Sequence, residues 1–292
     1  MKRTNRFAAL LLAALMPLSL AACGGSGDGG NTGGDGGSSN SGGKADPLVT
    51  AMANMEKAES MDAKMVMEMD MEAGGETMET VTTMDMSIFN SPTRLKADMT
   101  MNMSGYGDVS LEIYAEETDG QLMMYTYDGT NWYSETATTE DLSQYDVGSS
   151  MDYYWNSTTG FKQEGTEQME GVSAYKYTGV ITGDAMQEVI MDSGSLDSLT
   201  QLGMDEAQLK DMLSEMGDIS VNLWINEETL YPVRYEMDMT AVMDGLMGKI
   251  LESMGDEAEG LTMSVPKMTI SITCSNFNSA TDFTIPEEAK NA

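Results

Sequence analysis

Apolar and polar residues alternate with period two along most of this chain. Met65, Met67, Met69 and Met71 are interleaved with Val66, Glu68, Asp70 and Glu72. Met84, Met86 and Ile88 follow the same rule, as do Leu95, Ala97, Met99, Met101 and Met103, and then Val109, Leu111, Ile113 and Ala115. Such alternation predicts antiparallel strands with one apolar and one wetted face. Asn90-Ser91-Pro92 marks a turn between the second and third strands. Asp128-Gly129 between Gln121–Tyr127 and Asn131–Thr136 is a hairpin signal. Further strands are predicted at Phe161–Glu167, Val172–Ile181, Ile219–Asn226, Tyr231–Thr240 and Thr262–Phe277. This makes eleven in all.

Helical spacing interrupts the pattern in three places. Asp46-Pro47 reads as an N-cap and first helical residue. Leu48, Ala51, Met52, Met55 and Ala58 then form an apolar stripe, predicting a helix over 46–60. Asp184 to Gly217 reads as two helical pieces, and 241–254 as a helix with Met243, Leu246, Met247, Ile250 and Met254 on one stripe. Asp141 to Thr159 reads as a loop or short helix carrying Tyr145, Tyr153, Tyr154 and Trp155. Successive strands joined by short turns predict an up-and-down antiparallel sheet. One this wide curls towards a barrel or an incomplete one. The expected class is mainly β with helices (α+β), the helices capping the open apolar face.

The N-terminus has a separate character. Lys2, Arg3 and Arg6 precede an apolar run from Phe7 to Leu20, too short for an ordinary membrane span. Leu20-Ala21-Ala22-Cys23 closes it and resembles the lipobox of bacterial lipoproteins. The resemblance implies cleavage before Cys23 and acylation of its thiol. At ~0.8 kcal/mol per buried CH₂, two or three acyl chains anchor stably. Gly24 to Gly43 is almost all Gly, Ser, Asn, Asp and Thr, a composition that forms a flexible tether. The expected organisation is a signal peptide (1–22), an acylated Cys23 with linker (23–43), and one domain over 44–292.

Charge and composition narrow the function classes. The chain has 15 Lys+Arg against 48 Asp+Glu, a net charge of −33, and loss of the three basic residues of the signal segment makes it more acidic still. Nucleic-acid phosphates and anionic headgroups repel such a surface. There is no histidine, which removes Ser–His and Cys–His catalysis and the commonest metal ligand. Cys274 shares its strand face with Met268, Ile270 and Ile272, so it is expected to be buried and inert. Acidic runs such as Asp256–Glu259 lack the ligand spacing and glycine of a calcium loop. The expectation is a non-enzymatic protein without a cofactor or metal.

Two further segments resemble a known group. Trp224-Ile225-Asn226-Glu227-Glu228-Thr229-Leu230-Tyr231-Pro232-Val233-Arg234-Tyr235-Glu236-Met237 resembles a hairpin of the LolA/LolB/LppX-like superfamily of lipoproteins and lipoprotein carriers. The ending Phe283-Thr284-Ile285-Pro286-Glu287-Glu288-Ala289 resembles that of its uncharacterised Gram-positive lipoproteins. The resemblance implies a half-barrel of about eleven strands with an apolar cavity for acyl chains. No site residue transfers by position.

The 31 methionines are the candidate chemistry. Met fills a core, but it is also a soft lining that repacks around apolar chains of different shape. Met67, Met69, Met86, Met99 and Met101 are the candidate ligand-binding residues, with Tyr154 and Trp155 as a cavity rim. Met65, Met67 and Met69 could also present thioethers to a soft metal such as Cu(I), although regular strands are not the usual setting. The expected function is binding of a lipid or other apolar ligand by a lipid-anchored protein on the extracytoplasmic face of the cell membrane. The alternative is an envelope interaction or sensory module with a filled core and a protein partner.

Overall fold

The computed structural model describes residues 46–105, 107–118, 121–137, 158–185, 217–254 and 262–292. Helix α1 (Pro47–Met55) leads into a run of six strands: β1 (Ser60–Ala73), β2 (Glu76–Asn90), β3 (Thr93–Met103), β4 (Gly107–Thr118), β5 (Gln121–Tyr127) and β6 (Trp132–Ala137). Then come β7 (Thr158–Met169), β8 (Val172–Ile181), β9 (Ile219–Asn226), β10 (Pro232–Asp238), helix α2 (Thr240–Met254), β11 (Met263–Ser275) and the single turn α3 (Glu287–Lys290). The signal segment, Cys23, the linker, the aromatic loop with Tyr145, Tyr153, Tyr154 and Trp155, most of the helical stretch after Asp184, and the run Asp256–Glu259 lie outside the described residues.

All eleven strands form one antiparallel sheet in the order β6-β5-β4-β3-β2-β1-β11-β10-β9-β8-β7. Chain neighbours pair throughout except β6 and β7, which are the two edges of the sheet among the described residues. The first and last strands pair at the middle, Met65 opposite Ile272 and Met69 opposite Met268. The sheet is therefore a meander closed between β1 and β11 and open between β6 and β7, an incomplete barrel. Tight turns set the registers. Gly74 and Gly75 join β1 to β2 with φ of 62° and 87°, as a type I′ hairpin requires. Glu170 and Gly171 do the same between β7 and β8, with φ of 52° and 84°.

Every strand except β6 contributes apolar residues to one face, here called inner, where they form the main core with α1 and α2. Helix α2 lays Val242, Met243 and Met247 on it. The helix is fixed to β11 by Val265 N–H donating to Asp244 Oδ1 at 2.8 Å and by Met268 N–H donating to Thr240 Oγ1 at 2.9 Å. Helix α1 is capped by Asp46, whose Oδ1 accepts from Leu48 N–H at 2.9 Å. It buries Ala51 and Met55, and Asn54 Nδ2 donates to Leu230 O at 3.0 Å.

On the outer face, the C-terminal segment crosses β3–β6. Phe283, Ile285 and Ala289 pack with Tyr114, Tyr125 and Trp132. Arg94 lies against the rings of Phe89 and Phe283, 5.2 and 4.6 Å from their centroids, and donates to Asp282 Oδ1 (3.0 Å) and Phe283 O (2.6 Å). Asp62 accepts from Ser87, Asn276 and both the amide and hydroxyl of Thr281. Burial raises its pKa, but those hydrogen bonds outweigh it and hold the carboxyl below its ordinary value.

Three boundaries differ from the sequence expectation. Helix α1 ends at Met55 rather than near 60, because Ser60 already pairs with Phe89 in the ladder. Strand β2 begins at Glu76, eight residues before the Met84–Ile88 alternation, since its first inner positions include Thr80 and Thr82. Strand β7 starts at Thr158 rather than Phe161, with register shifts near Gly160 and Gly165 interrupting its pattern.

Candidate functional site

The inner face is organised in rows that run across the strands, each set by pairing register. One row is Val109, Met101, Thr82, Met67, Ile270, Met237 and Val221, from β4 to β9. The next is Leu111, Met99, Met84, Met65, Ile272, Tyr235, Leu223 and Tyr177. A sequence alternation of two thus becomes a continuous Met-rich patch on β1–β3.

Burial along these rows falls off towards β4, although Thr82 and Met84 on β2 are buried between half-buried neighbours. At the β9–β10 end, Met237 is 2% exposed and Val221, Leu223 and Tyr235 are buried. Towards β4, Met67 and Met101 are half-buried and Val109 is 48% exposed. Leu111 and Met99 are likewise half-buried. The half-buried residues share a face with the core and are continuous with it: Met65, Met67 and Met99 pack against its edge. An apolar side chain left half in water on a core face gains ~25 cal/mol per Å² when something covers it.

The structure brings together all five methionines named from sequence, on adjacent strands and one face. It divides them by exposure. Met69 and Met86 are buried, whereas Met67, Met99 and Met101 retain accessible surface. Tyr154, Trp155 and Cys23 fall outside the described residues. Thr80 and Thr82 were not singled out from sequence, yet both are buried on this face. Thr82 is 3% exposed, and among the described residues its Oγ1 has no hydrogen-bond partner. The sequence signal was present: two threonines standing at even positions that continue into Met84 and Met86.

A depression of about 400 Å³ lies elsewhere, where β9, β10, α2 and β11 meet. It is lined by Asp218, Asp238 and Asp244 rather than methionine. Each of these carboxylates already accepts a backbone amide, from Gly183, Thr240 and Val265. Asp238 thus caps the start of α2, and the other two tie distant segments together.

Cys274 is buried among the inner-face residues, and desolvation pushes its thiol up to about 12. A thiol so protonated is a poor nucleophile. Among the described residues no group of three His, Cys, Asp or Glu side chains is placed to hold a metal. No helix among them is long and apolar enough to cross a membrane.

Fold and site together define an open, eleven-stranded antiparallel sheet carrying helices and a partly covered Met-rich patch on one face. Over residues 48–292 the chain belongs to a family of unknown function, DUF6612. None of the curated proteins matches it. Among solved structures it is similar to LprF from Mycobacterium bovis, at 14% identity and a TM-score of 0.47, with 83% of this chain and 95% of that one covered. It is also similar to the Mycobacterium tuberculosis lipoprotein LppX, at 14% identity and a TM-score of 0.41, covering 81% and 95%. A putative outer membrane lipoprotein-sorting protein domain from Vibrio parahaemolyticus gives 12% identity and a TM-score of 0.27, covering 84% and 96%.

Proposed function

We propose that this protein is a non-enzymatic lipoprotein that binds a lipid or other apolar ligand on the inner face of its sheet. It is anchored through acylated Cys23 at the extracytoplasmic side of the cell membrane. The observation that carries the ligand-binding part is that the buried row from Val221 to Ile270 continues into half-buried Met67 and Met101 and exposed Val109. An acyl chain laid along β1–β4 would cover Met67, Met99, Met101, Leu111 and Val109 without displacing the core beneath β9–β11. Unbranched thioethers suit this because they repack at low cost. The Leu20–Cys23 segment, the Gly/Ser-rich tether and the acidic surface support the anchored, membrane-distant placement.

A second reading has one observation in its favour. Met69, Met84 and Met86 are already buried in the described structure, as a filled core requires. On that reading the protein is an envelope interaction or sensory module, and its acidic surface meets a cationic partner. Native mass spectrometry of the purified protein separates the two. A lipid-mass adduct that is lost on denaturation supports ligand binding. A bare mass, unchanged after incubation with membrane lipid extract, supports the filled core.

A further inference from the structure

We propose that Thr82 is a ligand-binding residue whose hydroxyl donates to an ester carbonyl within the bound chain, so that the site favours acyl esters over ether-linked or plain hydrocarbon chains. This rests on the apolar-ligand reading above and adds a chemical class to it.

Thr82 sits near the middle of β2, between β1 and β3, opposite Met67 on one side and Met101 on the other. Both ladders engage the β2 backbone, and Oγ1 makes no hydrogen bond to it. The residue is almost fully buried and its hydroxyl is unbonded. A buried hydroxyl with no partner is destabilising, and native folds satisfy nearly all such groups. Valine has the same shape and would fill the position without that penalty. The hydroxyl therefore calls for an acceptor that arrives from outside the fold.

The surroundings restrict what that acceptor can be. Met67 and Met101 are half-buried, flexible and flank Thr82 directly in the row, so a chain entering from the exposed Val109 end reaches it by displacing thioethers. A carboxylate would carry an unpaired charge into an apolar face, at a desolvation cost that one hydroxyl does not offset. A lone water needs two to four polar partners, and the flanking methionines are weak acceptors. A neutral carbonyl borne mid-chain needs only the one donor that is present.

The test uses the full chain, with a diacylglycerol and its dialkyl-ether analogue as probes, and compares wild type with T82V and T82S. The expected result is a wild-type preference for the ester. T82V binds the ester about two- to tenfold more weakly, as for loss of one hydrogen bond, with the ether unchanged, while T82S retains the preference. T82V should also unfold at a higher denaturant concentration without ligand, since an orphan hydroxyl is gone. An ester-to-ether ratio that is the same in wild type and T82V overturns the role of Thr82 and leaves apolar binding standing. Failure of wild type to bind either probe overturns both.

Discussion

Two alanine substitutions on one row test whether the inner face is open at its β3–β4 end. Met237 and Met101 have the same side chain and lie on the same cross-strand row, three strands apart from Thr82 on one side and next to it on the other. Met237 is 2% exposed between Val221 and Ile270. Its truncation removes a fully packed side chain and leaves a void, a loss of about 2–5 kcal/mol. Met101 is half-buried beside exposed Val109. Truncating it forfeits only part of a transfer free energy of about 1.5–3 kcal/mol, and water can fill the gap, so the loss is about 1 kcal/mol. Urea unfolding of ligand-free protein reads the difference as midpoint shifts at constant slope. The same two variants should reverse their order in ligand affinity, M101A weakening an apolar probe more than M237A. Equal stability losses at the two positions would refute the gradient, because they would mean that Met101 is packed as tightly as Met237.

Other consequences concern the framework. Asp62 has a folded-state pKa below its unfolded value, so its contribution is fully present above about pH 4 and is lost as pH falls through the folded value. D62N should flatten the acid limb of a stability-versus-pH curve measured between pH 6 and 2.5; an unchanged limb would mean that the Asp62 hydrogen bonds do not set acid stability. R94A removes two hydrogen bonds and the contact with Phe89 and Phe283, a loss of about 1–3 kcal/mol. Limited proteolysis should then cut after residue 276 while the sheet survives. A Cβ on Gly179 would collide with Thr158 Cγ2 and lie 3.1 Å from Phe161. G179A should therefore lower the melting temperature, and T158S, which deletes that methyl, should recover much of the loss.

Much of this fold was legible because its strands alternate strictly. The β1, β3 and β4 alternations, the hairpins at Asp128-Gly129 and around Glu227–Thr229, and the closing strand all stand where the period-two pattern puts them. What failed did so for physical reasons. The first half of β2 carries threonine at inner positions, and a β-branched hydroxyl suits a strand while reading as polar. Gly160 and Gly165 take positive φ in β7, so its register shifts and its alternation is lost. Ala58 continues the helical stripe of α1, yet its carbonyl accepts from Asn90 Nδ2 at 2.7 Å in the crossover to β1.

The candidate site was legible in part. Alternation placed Met67, Met69, Met86, Met99 and Met101 on one face. Their separation into buried and half-buried residues depends on long-range packing, in a sheet where β1 pairs with β11 nearly two hundred positions away, as in the 2.8 Å Lys267–Glu68 ion pair. No local pattern carries that information. The unbonded hydroxyl of Thr82 likewise becomes visible only once its neighbours are in place.

Photo-crosslinking locates the ligand most directly. The purified protein would be loaded with a fatty-acyl chain bearing a diazirine near its middle, irradiated, and digested for peptide mapping. Labels are expected on inner-face positions of β1, β3 and β4, at Met67, Met99, Met101 and Leu111. Labels confined to the outer face around Tyr114 and Trp132, or no specific labelling, would contradict binding on the inner face.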